Sequence, residues 1–215
     1  RGGGSGQGQG SPAPRELIPW SGPLSAMLDT VLARRGRPTV LLATGDPMWF
    51  GIGATLARRL GPEDYQILPH ASAFQLAAAR LGWPLQNVAT LSLHGRPVAT
   101  LNPHVLPGNR VLALTSDRTT AAEVAALLVA RRYGETRMIL LENLGAREER
   151  ITTTTAAGFC AATLGDFYVL ALDCVPDSGA PLLPPVPGLP DEAFIHDGQL
   201  TKRDVRAVTL SSLAP

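Results

Sequence analysis

The chain has 215 residues, of which 45% are hydrophobic, enough to bury a sizeable core and to exclude wholesale disorder. Its 19 basic and 18 acidic residues give a formal net charge of +1, spread without a basic stripe, so the sequence carries no electrostatic footprint for a nucleic acid. Cys160 and Cys174 are too few and too far apart for a disulfide framework or a close metal-binding pair. No apolar run reaches the roughly 20 residues that span a bilayer, and no basic segment leads into an apolar core as in a secretory signal. A cytoplasmic protein without membrane contact is the expectation.

In chain order, residues 1–14 (RGGGSGQGQGSPAP) form a Gly/Ser-rich segment expected to be flexible. Within residues 17–35, Leu24, Met27, Leu28, Val31 and Leu32 recur at helical spacing and predict one helix. The run TVLLAT, residues 39–44, is β-branched and aliphatic without alternation, the pattern of a central parallel strand covered on both faces. After the loop GDPMWFG come an apolar helix over 52–60 and a short strand over 66–68, which would complete a βαβ unit. A helix over 72–81 and strands over 88–93 and 110–115 follow, the strands separated by the Pro- and Gly-punctuated stretch 95–108, which could join two domains. Beyond it the pattern predicts a helix over 119–132, strands over 138–142 and 150–154, a helix over 156–164 and a strand over 168–173. Residues 176–190 (PDSGAPLLPPVPGLP) are too proline-rich for regular structure and read as a semi-rigid linker.

These elements predict an α/β fold in two subdomains, residues 15–105 and 106–175, followed by the 176–190 linker and a new unit beginning at 191–215. The sharpest local signal is the segment Gly45-Asp46-Pro47-Met48-Trp49-Phe50-Gly51-Ile52-Gly53 between the predicted strand and helix. In an open parallel sheet the ligand crevice lies beyond the carboxyl ends of the strands, where such a loop sits. Its glycines allow close backbone approach, and Asp46 can accept hydrogen bonds or face a cation or hydroxyl. The same residues could instead form a plain strand-to-helix turn, with Asp46 capping the helix and Trp49 and Phe50 covering the core.

Other chemistries find no support. There is no P-loop lysine motif, and Gly51-Ile52-Gly53-Ala54-Thr55-Leu56 ends in leucine where a dinucleotide fingerprint needs a small residue. His70, His94, His104 and His196 lack metal-site spacing, so no metal is expected. No nucleophile elbow is present and neither cysteine has a catalytic setting, which leaves transfer from a bound donor as the better fit. No catalytic residue can be named from the sequence.

Three segments in order, LLATGDPMWFGIGATLARRLG, ILPHASAFQLAAARLGWPLQNV and RMILLENLGAREERI, resemble the motifs of the tetrapyrrole (corrin/porphyrin) methylases, in particular the branch acting at C-5 and C-15 of precorrin-6Y. The resemblance runs from about residue 18 to 175 and resumes in the tail. It implies a two-domain α/β fold with S-adenosylmethionine bound in the cleft between the domains, S-adenosylhomocysteine as product, and C-5 methylation of a precorrin in cobalamin synthesis. Carried over position by position, it implies donor contacts at Thr44, Gly45, Asp46 and Trp49, then at Ser72 and Ala73, and less tightly at Leu114 and Leu144. The acceptor is a small-molecule tetrapyrrole with several carboxylates, for which Arg96, Arg118 and Arg147 are rim candidates.

The family's opening strand and Gly-rich loop have no counterpart in residues 1–14, and residues 191–215 resemble the incomplete start of a fused second methyltransferase domain. An unpaired sheet edge left at the front would favour a homo-oligomer. A methylase of the same fold with another acceptor, and a non-catalytic binding module, are the competing readings.

Overall fold

The computed structural model describes residues 16–160 and 164–214. Its elements are helices α1 (Leu24–Leu32), α2 (Ile52–Leu56) and α3 (Ala73–Leu81), strands β1 (Ala89–Ser92) and β2 (Arg110–Leu114), helix α4 (Thr120–Ala130), strands β3 (Arg137–Glu142), β4 (Arg150–Thr155) and β5 (Tyr168–Asp173), and helix α5 (Arg203–Leu213). The strands form one mixed sheet in the order β1-β2-β5-β3-β4. β1 and β2 are parallel, whereas β5 runs antiparallel to both β2 and β3, and β4 antiparallel to β3. β1, β2 and β3 therefore point the same way and end on one edge of the sheet.

Alternation along the inner strands loads both faces, because successive side chains of a strand point to opposite sides. Val111, Ala113, Met138, Leu140, Leu170 and Leu172 join Val124 and Leu128 of α4 on one face. Leu112, Ile139, Leu141, Val169 and Ala171 meet Phe74, Ala77 and Ala78 of α3 on the other. A sheet covered by a helix on each side results. The stretch 95–108 is ordered rather than a bare connector: a 3₁₀ turn over Val98–His104 buries Leu101 completely, and Val105 follows it into the core. β1 lies before this stretch and β2 after it, and the two pair directly, so the 105/106 division falls between neighbouring strands of one sheet.

α3 begins as its sequence demands. Ser72 accepts a hydrogen bond from the Phe74 amide, and the Gln75 side chain reaches back to the Ser72 amide at 2.7 Å, a reciprocal cap that satisfies amides with no partner inside the helix. Gly82, at φ 65°, closes the helix in the left-handed region that glycine tolerates.

Three expected elements are absent. Residues 39–44 form no strand, and Val40 and Leu42 are 85% and 87% exposed. Residues 66–68 likewise stay outside the sheet, with Leu68 exposed. A strand exists only through ladder bonds to a neighbour, and among the described residues neither segment has one, so the aliphatic pattern goes unused. The helix expected over 156–164 does not form among its described residues, 156–160 making a turn and Leu164 being non-helical. The amides of Ala156 and Ala157 donate to the carbonyls of Thr136 and Gly134, tying the chain to the start of β3 in place of a helical ladder. Residues 161–163, like the segment 1–14, lie outside the described residues.

Candidate functional site

A cavity of about 970 Å³ lies between the segment 20–76 and the edge of the sheet where β2 and β3 end. Thr44, Gly45, Asp46, Trp49, Ser72, Ala73, Leu114 and Leu144 all line it, so four separated stretches of sequence converge on one space. Leu114 is the last residue of β2, and Leu144 stands two residues beyond β3. The placement follows the rule that sheet ligands gather beyond strand carboxyl ends.

The Gly-Asp-Pro loop gets its shape from its own backbone. Gly45 has φ 63°, a conformation that side-chain-bearing residues rarely adopt, and its Cα side faces Ser72 at the start of α3. Asp46 does not cap a helix: its Oδ1 accepts the Met48 amide at 2.7 Å, while the N-cap of α2 is Gly51. The carboxylate thus holds the turn and keeps Oδ2 without a hydrogen bond among the described residues. Gly51 and Gly53 are required for space, since a Cβ on either would stand 2.5–2.7 Å from the carbonyl oxygens of Asp46 or Pro47.

Trp49 and Phe50 cover Phe74, as the alternative reading of the loop expected, yet both also face the cavity. Their ring centroids lie 5.4 and 5.8 Å from that of Phe74, which is itself buried in the core beneath α3. Phe50 has φ 56° without being glycine. A bulky residue in that region carries roughly 1–3 kcal/mol of strain, which persists only where surrounding contacts enforce it.

Sequence reading missed Trp20, His70, Phe74, Leu76 and Gly145 among the lining residues. The aromatic and apolar ones look like ordinary core positions by periodicity, and nothing local marks Trp20. Asp46 and His70 are the two titratable side chains of the lining. Among the described residues, no three His, Cys, Asp or Glu side chains gather as a metal site, and no helix is long and apolar enough to cross a membrane.

An ion pair fixes the far wall. Arg80 of α3 grips Glu149 through Nε to Oε1 at 2.6 Å and a second nitrogen to Oε2 at 3.0 Å, while Glu149 also accepts the Gly145 amide at 2.8 Å. The loop after β3 is thereby strapped to the helix that opens at Ser72. The Arg80 guanidinium, with help from the Gly145 amide, holds the Glu149 carboxyl below its ordinary value of 4.5. A carboxylate with a depressed value contributes its stabilisation fully above the unfolded value and loses it as pH falls through the folded one. The Gly145 amide resonance is therefore expected to titrate with a midpoint below 4.5, moving upward in Arg80→Ala. A midpoint unchanged by that substitution would show that the strap is not what perturbs the carboxyl.

A sequence profile of the family described as Tetrapyrrole (Corrin/Porphyrin) Methylases matches residues 22–159. The chain belongs to that family. Among curated tetrapyrrole methylases it is 47% identical over 196 residues to the precorrin-6Y C(5,15)-methyltransferase [decarboxylating] of Sinorhizobium sp, covering 91% of this chain and 48% of that protein. It is 37% identical over 129 residues to the cobalt-precorrin-7 C(5)-methyltransferase of Salmonella typhimurium, covering 60% of this chain and 63% of that one. The crystal structure of a uroporphyrin-III-C-methyltransferase from Thermus thermophilus superposes with a TM-score of 0.55 at 25% identity over 73% of each chain. The chain spans about half the length of the first curated tetrapyrrole methylases it matches.

Proposed function

We propose that this chain holds the methyl-donor site of a precorrin C-methyltransferase in cobalamin synthesis, with S-adenosylmethionine as donor and C-5 of a precorrin-6Y/6B-type ring as acceptor. The observation that carries the reading is the convergence of the eight resemblance-derived positions, Thr44 to Leu144, on a single cavity. The names of the proteins it is similar to support the same reaction class.

The residues present suit the donor. The volume lies within the roughly 300–1,000 Å³ typical of small-molecule sites. Trp49, Phe74, Leu114 and Leu144 offer apolar walls for a flat base, and the open Oδ2 of Asp46 offers an acceptor for a hydroxyl or ammonium group. When bound, S-adenosylmethionine supplies an electrophilic methyl group on a sulfonium and leaves as S-adenosylhomocysteine. The acceptor carbon is itself the nucleophile, so the protein's part is to align the partners and exclude water. Apolar walls and a loop held by its own hydrogen bonds serve that purpose without a protein nucleophile.

The tail 191–215, including α5, is read as the opening of a second methyltransferase domain; the match to the Sinorhizobium protein covers 91% of the chain, beyond what the family profile spans. The reading includes two subdomains with the donor in the cleft between them. It also includes association of copies, favoured by the exposed Val40, Leu42 and Leu68.

Calorimetric titration with S-adenosylhomocysteine tests the donor site. One-site binding is expected, weakened about tenfold or more by Asp46→Ala and by Gly45→Val, whose side chain cannot comfortably take φ 63°. A folded chain that does not bind the ligand would overturn the assignment, and equal affinity in both variants would remove the Gly-Asp-Pro loop from the site.

A further inference from the structure

We propose that Arg96, standing over the ring of the cavity-lining Phe50, anchors a carboxylate of the tetrapyrrole acceptor. The inference rests on the methylase reading above and deepens it by naming the residue that selects the acceptor.

Three arginines were candidates on sequence alone, and their surroundings now differ. Arg118 is engaged with Asp166, through its amide at 3.2 Å and its Nε at 3.9 Å. Arg147 is exposed and makes no described side-chain contact, with a cavity-lining residue or any other. Arg96 is exposed, and its guanidinium has no carboxylate partner among the described residues; its Cζ stands 6.0 Å from the centroid of Phe50, a cavity-lining residue. A cation over an aromatic face is held in place with its hydrogen-bond donors still free at its edge. That leaves the planar fork of Arg96 available to a carboxylate.

The backbone that presents Arg96 is pinned on several sides. It follows the end of β1, on the same sheet edge as Leu114 and Leu144. The Leu93 amide donates to the Leu114 carbonyl at 2.8 Å, and the Arg96 amide closes a turn onto the Leu93 carbonyl at 3.1 Å. Gly95 occupies φ 65° within that turn, and its amide donates to Ser116 Oγ, which in turn donates to the Leu93 carbonyl, each at 3.1 Å. The turn is thus tied to the loop after β2.

The platform is equally constrained. Phe50 holds a left-handed backbone conformation while packing against Phe74. Strained residues of this kind concentrate where a side chain must be aimed at a ligand. Here the ring lines the cavity, and the Arg96 guanidinium stands 6.0 Å from its centroid. Phe50 is accordingly a positioning residue and Arg96 the contact. A methyl donor offers one carboxylate; an acceptor of the tetrapyrrole class offers several around its rim, matching a cation that stands outside the cavity lining against one of its residues.

The test uses two probes on the whole chain, uroporphyrin III as a stable polycarboxylate tetrapyrrole and S-adenosylhomocysteine for the donor site. Arg96→Gln is expected to weaken uroporphyrin III binding about tenfold or more while leaving S-adenosylhomocysteine affinity unchanged, with Arg96→Lys intermediate because it keeps the charge and loses the fork. Phe50→Gly, which removes the ring without strain at φ 56°, is expected to weaken uroporphyrin III several-fold. Equal uroporphyrin III affinity in wild type and Arg96→Gln overturns the inference and leaves the donor site standing. Binding of S-adenosylhomocysteine without any binding of uroporphyrin III also overturns it. Binding of neither probe by the folded chain overturns the methylase reading together with the inference. Unchanged affinity in Phe50→Gly removes Phe50 from the anchor.

Discussion

Replacing Gly51 by alanine is expected to weaken donor binding on the order of 100-fold, from the addition of a single methyl group. That methyl would sit 2.5 Å from the Asp46 carbonyl oxygen and 2.6 Å from that of Pro47. Both are backbone atoms inside the loop that carries the proposed donor contacts, so no flexible side chain can swing aside. Ordinary contact begins near 3.4 Å, and relief therefore requires a loop shift of about 1 Å, at a cost of about 1–3 kcal/mol. Displacements of that size at positioning groups cost about 100-fold in function. Calorimetric titration with S-adenosylhomocysteine and a thermal melt would be run together. Retained affinity with an unchanged melting temperature would show that the loop tolerates the methyl group and that its conformation is not what the site needs.

The second large effect concerns Phe74. It is 1% exposed, lies in the core between α3 and the sheet, and is the residue on which both Trp49 and Phe50 rest. Truncation of a buried phenylalanine to alanine costs about 3–5 kcal/mol through lost burial and the cavity left behind. At this position the loss has a second consequence, because the void lies directly beneath the wall of the proposed site. Phe74→Ala is expected to lower the midpoint of urea unfolding and, under conditions where the chain remains folded, to shift the tryptophan emission of Trp49 to the red. Phe74→Leu fills most of the volume and should restore stability more completely than it restores S-adenosylhomocysteine affinity. Equal recovery of both would mean that Phe74 serves the core alone and does not shape the loop.

The Glu149 strap belongs to the same picture. α3 carries Ser72 and Ala73 at its start, Phe74 in its first turn and Arg80 in its last, so one nine-residue helix supports the donor loop, closes the cavity floor and holds the loop after β3. Substitutions along it are accordingly expected to couple, since they share partners and a common wall.

Much of this was legible in order along the chain. The continuous apolar runs within Arg110–Leu114, Arg137–Glu142 and Tyr168–Asp173 marked the inner strands, because their side chains serve two buried faces. The helix over 72–81 was legible as well, and the structure shows its start fixed locally by Ser72 and Gln75, since capping is decided by residues within one turn. The Gly-Asp-Pro loop was visible as chemistry because glycine is placed where other residues do not fit, and Gly45, Gly51 and Gly53 each prove to be such positions. These are short-range effects, and short-range effects are written locally.

What the tertiary structure alone decided are the matters of partnership. Residues 39–44 have strand-forming residues, yet a strand is a relation between two segments, and no described segment pairs with them. Residues 156–160 could have continued as a helix, but their amides found the carbonyls of Gly134 and Thr136 first. The sheet order β1-β2-β5-β3-β4, which brings Leu114 and Leu144 to one edge, follows from pairings between residues dozens of positions apart that no local pattern encodes. The same holds for Arg96: among three arginines alike in sequence, it is the fold that sets one against an aromatic ring that lines the cavity and ties another to a carboxylate. Residue type and spacing determine what a segment can form, and free energy shared between distant segments determines which of those options is taken.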